Sequence, residues 1–194
     1  MMPMAACDGS NADPILPEQP GQPGNSDGGD EDDSTDPTNP IPGGNGRYLV
    51  LYCSRTGSTE RMAQQIQQTL DCDILEVEPQ TPYESDYNGM LNRAQEELAV
   101  IRQGNYPAIK TSVEDFGNYD IVFVGYPIWY GSMGTPMQTF LHNHASKLAG
   151  KRIALFASSG SSGISASVDE ARTLCSGATF TETLLLTSST LSQI

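Results

Sequence analysis

Three short apolar runs without a break, Tyr48-Leu49-Val50-Leu51-Tyr52-Cys53, Ile121-Val122-Phe123-Val124 and Ile153-Ala154-Leu155-Phe156-Ala157, limit what this chain can fold into. A strand with one wet face alternates apolar and polar side chains, whereas a continuously apolar strand has to be covered on both faces. Residues 73–78 mix charge with Ile74, Leu75 and Val77, as an edge strand does, and residues 179–186 supply a fifth strand. Between the runs apolar side chains recur at helical spacing: Met62, Ala63, Ile66 and Leu70, then Leu91, Ala94, Leu98 and Ile101. Two further stripes follow, Met137, Phe140, Leu141, His144 and Leu148, then Ile164, Val168, Ala171 and Cys175.

Local signals agree with this alternation. Asp86 can cap the second helix, Thr135-Pro136 puts proline in the first turn of the third, and Gly150 follows the third as its terminator. The result is an α/β fold, a doubly wound five-stranded parallel sheet with right-handed crossovers, whose ligands sit beyond the carboxyl ends of the strands. The loops after the first, third and fourth strands are therefore where a site is to be sought.

Composition divides the chain. Residues 1–46 hold nine acidic side chains, eight prolines and eight glycines with no Lys or Arg, and lack the apolar content to offset the entropy of ordering. They are expected to form a disordered acidic tail or tether, with residues 47–194 as one folded domain. A net charge of −14 repels phosphate backbones and anionic headgroups, which argues against nucleic-acid binding through a basic patch. Cys7, Cys53, Cys72 and Cys175 form no CxxC pair and have too few neighbouring histidines for a zinc set. No run reaches the roughly 18 apolar residues of a membrane-spanning helix. His142 and His144 lie two apart on a helix, the wrong spacing for one face, and are assigned no chemistry.

The first loop, Ser54-Arg55-Thr56-Gly57-Ser58-Thr59, runs into a helix, so hydroxyls and backbone N–H groups converge at the positive end of its dipole. A phosphate monoester suits that nest, with Gly57 letting the backbone come close and Ser54, Thr56, Ser58 and Thr59 donating O–H bonds. No Gly-Lys-Ser/Thr follows and the turn has no Gly-x-Gly-x-x-Gly, which disfavours nucleoside triphosphates and dinucleotides. A phosphatase with Cys53 as nucleophile would need an Arg where Thr59 stands. An ordinary Ser/Thr-rich helix start reads the same way, and the other two loops weigh against it.

After the third strand comes Gly125-Tyr126-Pro127-Ile128-Trp129-Tyr130-Gly131-Ser132-Met133-Gly134, which holds the one Trp of the chain. Pro127 and its flanking glycines argue for a shaped loop, and large aromatics exposed in a loop cover something flat. Trp129 and Tyr130 are the leading stacking candidates, a stacked ring contributing ~1 kcal/mol beyond burial. The competing expectation is that Trp129 packs into the core beneath the third helix. After the fourth strand, Ser158-Ser159-Gly160-Ser161-Ser162-Gly163 has small residues that let backbone N–H groups reach the polar edge of a ring, and it lacks the Gly-x-Ser-x-Gly of a hydrolase elbow.

Together these segments resemble a flavodoxin over residues 47–186. The Ser-x-Thr-Gly-x-Thr of residues 54–59 is similar to that family's phosphate loop for FMN, and residues 125–131 are similar to a flavin-facing Pro-Ile-Trp segment of flavodoxin-like proteins. Residues 158–163 match their third loop, and Tyr83-Glu84-Ser85-Asp86-Tyr87-Asn88 also looks like that group. The resemblance implies the flavodoxin-like strand order 2-1-3-4-5 and non-covalent FMN, its phosphate on Ser54, Thr56, Gly57, Ser58 and Thr59. The ring would lie between Pro127, Ile128, Trp129, Tyr130 and Gly131 on one side and Ser158, Ser159, Gly160, Ser161 and Gly163 on the other. Arg55, at a variable position of the phosphate loop, is counted with the site and expected to point to solvent.

The resemblance further implies electron transfer, one electron at a time, to a redox partner protein or small acceptor, with no side chain acting as nucleophile or acid. An acidic domain would lower the potential of the second reduction. Two rivals use the same sheet: an FMN-dependent NAD(P)H:quinone-type oxidoreductase, and a non-redox flavodoxin-fold lipoprotein module. A response-regulator receiver would need an Asp at the end of the third strand and acids after the first, where Gly125 or Tyr126 and Ser54 stand.

Flavodoxins end in a fifth helix, and residues 187–194 are too few for one of ordinary length. The last helix is therefore expected to be missing, with a truncated chain or self-association through the uncovered sheet face as the explanation. At the other end, Met4-Ala5-Ala6-Cys7 resembles a bacterial lipobox whose cysteine becomes lipidated. That implies a lipid-anchored protein of the cell envelope, touching the membrane only through Cys7, with a cytoplasmic protein as the alternative.

Overall fold

The computed structural model describes residues 47–191. The expected tail, Cys7 with its lipobox-like context and residues 192–194 lie outside the described residues.

The first apolar run becomes β1 (Tyr48–Tyr52), which pairs in parallel with β2 (Asp73–Glu76) on one side and β3 (Ile121–Trp129) on the other. β3 pairs onward with β5 (Arg152–Ser159), and β5 with β6 (Thr179–Thr187), so the order is β2-β1-β3-β5-β6. β4 (Ser132–Met133) is a two-residue strand folded back antiparallel on β3. Without it, the parallel strands stand in the expected 2-1-3-4-5 order. The crossovers are α1 (Ser58–Leu70), α2 (Tyr87–Ile101), α3 (Thr135–His144) and α4 (Ser165–Leu174), with a single turn, α5 (Ser188–Leu191), after β6. None of the described helices is long and apolar enough to cross a membrane.

The continuous apolar run in β1 is explained by two cores. Leu49 and Leu51 join a cluster with Val122, Val124, Phe140 and Leu141, while Val50 and Tyr52 join one with Met62, Ala63, Ile74 and Phe156. Each fully buried aliphatic side chain here contributes about 1.5–3 kcal/mol. β2 is an edge strand, as its charges require. Asp86 caps α2 as expected, its carboxylate accepting from the Gly89 N–H at 2.7 Å, and Pro136 sits in the first turn of α3.

Two boundaries differ from the sequence reading. α3 ends at His144, so the fully buried Leu148 belongs to the turn that follows, and Gly150, at φ +77°, closes that turn and not the helix. β3 runs to Trp129 because residues 125–127 pair with Phe156, Ala157 and Ser158 of β5. β1 has ended by then, so no strand of the parallel sheet calls for an N–H at Pro127, whose carbonyl accepts from the Gly134 N–H at 2.9 Å where the hairpin returns. The segment expected as a shaped loop is thus the end of a central strand followed by a hairpin.

Candidate functional site

At the carboxyl end of β1 the chain turns at Gly57, whose φ of +80° is left-handed, and enters α1. No side chain caps this helix. Its first-turn N–H groups therefore stay available at the positive end of the dipole. The Gly57 N–H donates to Ser54 Oγ at 3.2 Å, so Ser54 shapes the loop as an acceptor and keeps its own proton to donate. Thr59 is fully buried, and its hydroxyl shares a 2.8 Å hydrogen bond with Ser158. That bond ties the first loop to the end of β5, and the Thr59 hydroxyl, on the wall of the cleft, is shared with Ser158.

Arg55 does not point to solvent. Its guanidinium donates to the Ser85 carbonyl at 2.9 Å and the Glu84 carbonyl at 3.4 Å, and lies 5.9 Å from the Tyr87 ring centroid. It staples the first loop to the segment leading into α2, and its Nε is buried without a partner among the described residues.

The second segment is a two-residue hairpin. Ile128 pairs with Met133 and Trp129 with Ser132, and Tyr130 and Gly131 turn between them at φ +52° and +80°. Left-handed backbone at a tyrosine costs about 1–2 kcal/mol, a strain that tends to collect at functional sites. The turn leaves Tyr130 53% exposed, whereas Trp129 is only 9% exposed. Trp129 is therefore not the exposed loop aromatic anticipated, nor is it beneath α3. It packs against Met90 and Ala94 of α2 and meets Tyr83 edge-on, with ring centroids 5.1 Å apart at 78°.

In the third loop Ser158 and Ser159 are buried at the end of β5, Gly160 begins the turn, and the Ser159 hydroxyl is buried with no partner among the described residues.

These three segments meet around one cleft of about 470 Å³. That is within the range of small-molecule sites. Its walls include Ser54, Arg55, Thr56, Ser58 and Thr59 from the first loop, Pro127, Ile128, Trp129 and Tyr130 from the second, and Ser158, Ser159 and Gly160 from the third. Gly57 and Gly131 shape the turns without lining the cleft, and Ser161 and Gly163 lie beyond its wall. Tyr87, Met90 and Leu91 of α2 form a wall that sequence reasoning missed. The signal was present: the Asp86 cap fixes the start of α2, and Tyr87, Met90 and Leu91 then fall at i, i+3 and i+4 on one face.

A smaller hollow of about 180 Å³ lies next to the cleft and shares Ser54, Arg55 and Trp129 with it. Glu76 and Glu78 line it, and burial, reinforced by Glu78 and Glu60, pushes the Glu76 carboxyl up to about 7. Cys53, also on this wall, is fully buried and its thiol is driven up by desolvation, the opposite of what a nucleophile needs.

A wound parallel sheet with three loops converging past its strand ends defines a nucleotide-binding α/β protein. Residues 47–194 match the family described as Flavodoxin. The chain belongs to the flavodoxin family. A candidate flavoprotein from Bacteroides eggerthii is 33% identical, with a TM-score of 0.65 over 76% of this chain and 92% of that one. A second, from Bacteroides uniformis, is 29% identical, with a TM-score of 0.64 over 78% and 97%. A Lactobacillus acidophilus flavoprotein solved in complex with FMN is 25% identical, with a TM-score of 0.62 over 72% and 92%. No curated protein matches the chain.

Proposed function

We propose that this chain binds FMN without a covalent bond and carries electrons to a redox partner. The observation that carries the reading is the convergence of the loops after β1, β3 and β5 on one cleft of about 470 Å³. The residues present fit the group. The uncapped first turn of α1 and the hydroxyls of Ser54, Thr56 and Ser58 suit a phosphate. Ile128, Trp129 and Tyr130 offer apolar and aromatic surface to a planar ring, and Ser159 contributes a buried hydroxyl that has no partner among the described residues. The FMN complex of the Lactobacillus acidophilus relative supports the same ligand.

When bound, FMN supplies the redox chemistry, and the chain's own residues bind it, orient it and exclude water. Thr59 holds the first and third loops together through Ser158, and Arg55 fixes the first loop to residues 84–85.

Titration of the purified full chain with FMN should give a yellow one-to-one complex that bleaches on anaerobic reductive titration. A protein that leaves FMN free rejects the reading, and rapid NADPH consumption with a quinone would move it to an FMN-dependent reductase. Trp129→Ala should weaken FMN by about tenfold or more, since a stacked aromatic contributes ~1 kcal/mol beyond its buried area. We also propose that Cys7 carries a lipid anchor in the cell envelope. Intact mass of the chain recovered from bacterial membranes tests this, and an unmodified Cys7 rejects it.

A further inference from the structure

We propose that Tyr83, clamped by Arg93 and Glu97 of α2 and by Thr135 of α3, is a positioning residue that holds Trp129 in place as a wall of the cleft, an inference that rests on the FMN reading above. Trp129 borders two spaces: it lines the cleft and also the hollow of about 180 Å³, together with Pro79, Pro82, Tyr83 and Lys110. Packing density normally fixes a core indole. Because Trp129 borders those two spaces, its orientation rests on the contacts it does make, Met90 and Ala94 from α2 and the Tyr83 ring at 5.1 Å.

Tyr83 lies outside any helix or strand, yet it is more heavily tethered than a connecting segment requires. Its hydroxyl donates to Glu97 Oε2 and lies 2.7 Å from Thr135 Oγ1, and Thr135 donates to the same carboxylate oxygen. Arg93 Nε donates to the other oxygen, Glu97 Oε1, at 2.9 Å. The guanidinium also donates to the Pro82 and Thr81 carbonyls, both at 2.8 Å, and lies over the Tyr83 ring with its central carbon 4.2 Å from the centroid. The ion pair is mostly shielded, with side chains 21% and 12% exposed, so solvent screens it less than a surface pair. One arginine thus fixes the segment before Tyr83, the face of its ring and, through Glu97, its hydroxyl. Trp129 meets that fixed ring in a T-shaped contact. A wall held in its binding orientation before the ligand arrives lowers the ordering cost of binding.

Trp129 is the one tryptophan of the chain, so intrinsic tryptophan emission reports on it alone. In the FMN-free full chain, Tyr83→Phe keeps the ring and removes the hydroxyl bonds. It should steepen acrylamide quenching of Trp129 and raise the FMN dissociation constant about three- to tenfold, the range expected for a lost hydrogen bond. Glu97→Gln should move both readouts the same way and stands in if Tyr83→Phe does not fold.

The control is Tyr119→Phe, which loses a tyrosine-to-carboxylate bond of 2.8 Å to Asp73 Oδ2 at the amino-terminal edge of the sheet and should move neither readout. Unchanged quenching and affinity in both α2-side variants, with wild type binding FMN, overturn the positioning role alone. Equal shifts in Tyr83→Phe and Tyr119→Phe overturn it too, since general loosening would then be the cause. A wild-type chain that does not bind FMN overturns the functional reading and this inference with it.

Discussion

Burial shifts Glu76 and His144 in opposite directions. Burial, then Glu78 and Glu60, lifts Glu76 to about 7, so the folded chain holds that proton more tightly than the unfolded chain does. Its contribution favours folding in acid and is lost as pH rises through about 7. His144 is lowered by burial: its Nε2 accepts the Val113 N–H at 3.1 Å while Nδ1 donates to the Phe140 carbonyl at 2.8 Å, which only a neutral ring can do. As pH falls the unfolded chain takes up the histidine proton first, so this contribution is complete above the ordinary value of 6.5 and declines below it. The two slopes oppose each other between about pH 5 and 7 in the wild type. Glu76→Gln leaves the histidine slope, and its urea midpoint should rise with pH across that window. His144→Phe leaves the glutamate slope, and its midpoint should fall, on top of a loss of ~1–3 kcal/mol from the orphaned Val113 N–H. Parallel profiles for the two variants would show that neither group titrates as argued.

Among the elements, β3 and β5 meet most tightly where Gly125 faces Phe156. A Cβ on Gly125 would lie 2.1 Å from the Phe156 ring, nearer than any real contact. Gly125→Ala should therefore destabilise by ~1–3 kcal/mol, and Phe156→Leu in the same chain should recover part of that loss, a coupling that a double-mutant cycle in urea measures. Additive losses would mean that the ring is not the obstacle. This glycine also shows what the sequence could and could not disclose. The strands and the three site loops were legible because buried parallel strands have no polar positions, and because Asp86 and Pro136 mark helix starts by local chemistry, whereas the strand order came with the resemblance to flavodoxins. The length of β3 was not, because Pro127 argues against a central strand until β1 is known to stop short of it. The burial of Trp129 was hidden for a similar reason. It depends on Tyr83, 46 positions earlier, and on Met90 and Ala94, contacts that no local pattern around the indole encodes. Likewise nothing in the residues around Thr59 encodes the bond its hydroxyl shares with Ser158, 99 positions away.

For the molecule as a whole, two forces act on association in opposite directions. A net charge of −14 keeps copies apart. Against it stands β6, an edge strand of nine residues, Thr-Phe-Thr-Glu-Thr-Leu-Leu-Leu-Thr, with no Pro or Lys and Glu182 as its one charge. Leu184 on it is 50% exposed, and Leu185 and Leu186 are only partly covered. A register shift opposite residues 153–155 bends the strand, one of the devices by which edges resist pairing. We propose β6 as the surface through which copies associate once charge is screened. The Debye length falls from about 10 Å at 0.1 M salt to about 3 Å at 1 M, which removes most of the long-range repulsion but leaves backbone pairing and apolar contact intact. Light scattering of the full chain should give the monomer mass at low salt and a larger mass near 1 M. Leu184→Lys, which puts a charge on the most exposed leucine of the strand, should keep the monomer mass at both salts while leaving the urea midpoint near wild type, because the side chain already faces water. A mass that stays monomeric at high salt, or one that rises equally in Leu184→Lys, would show that β6 is not the contact.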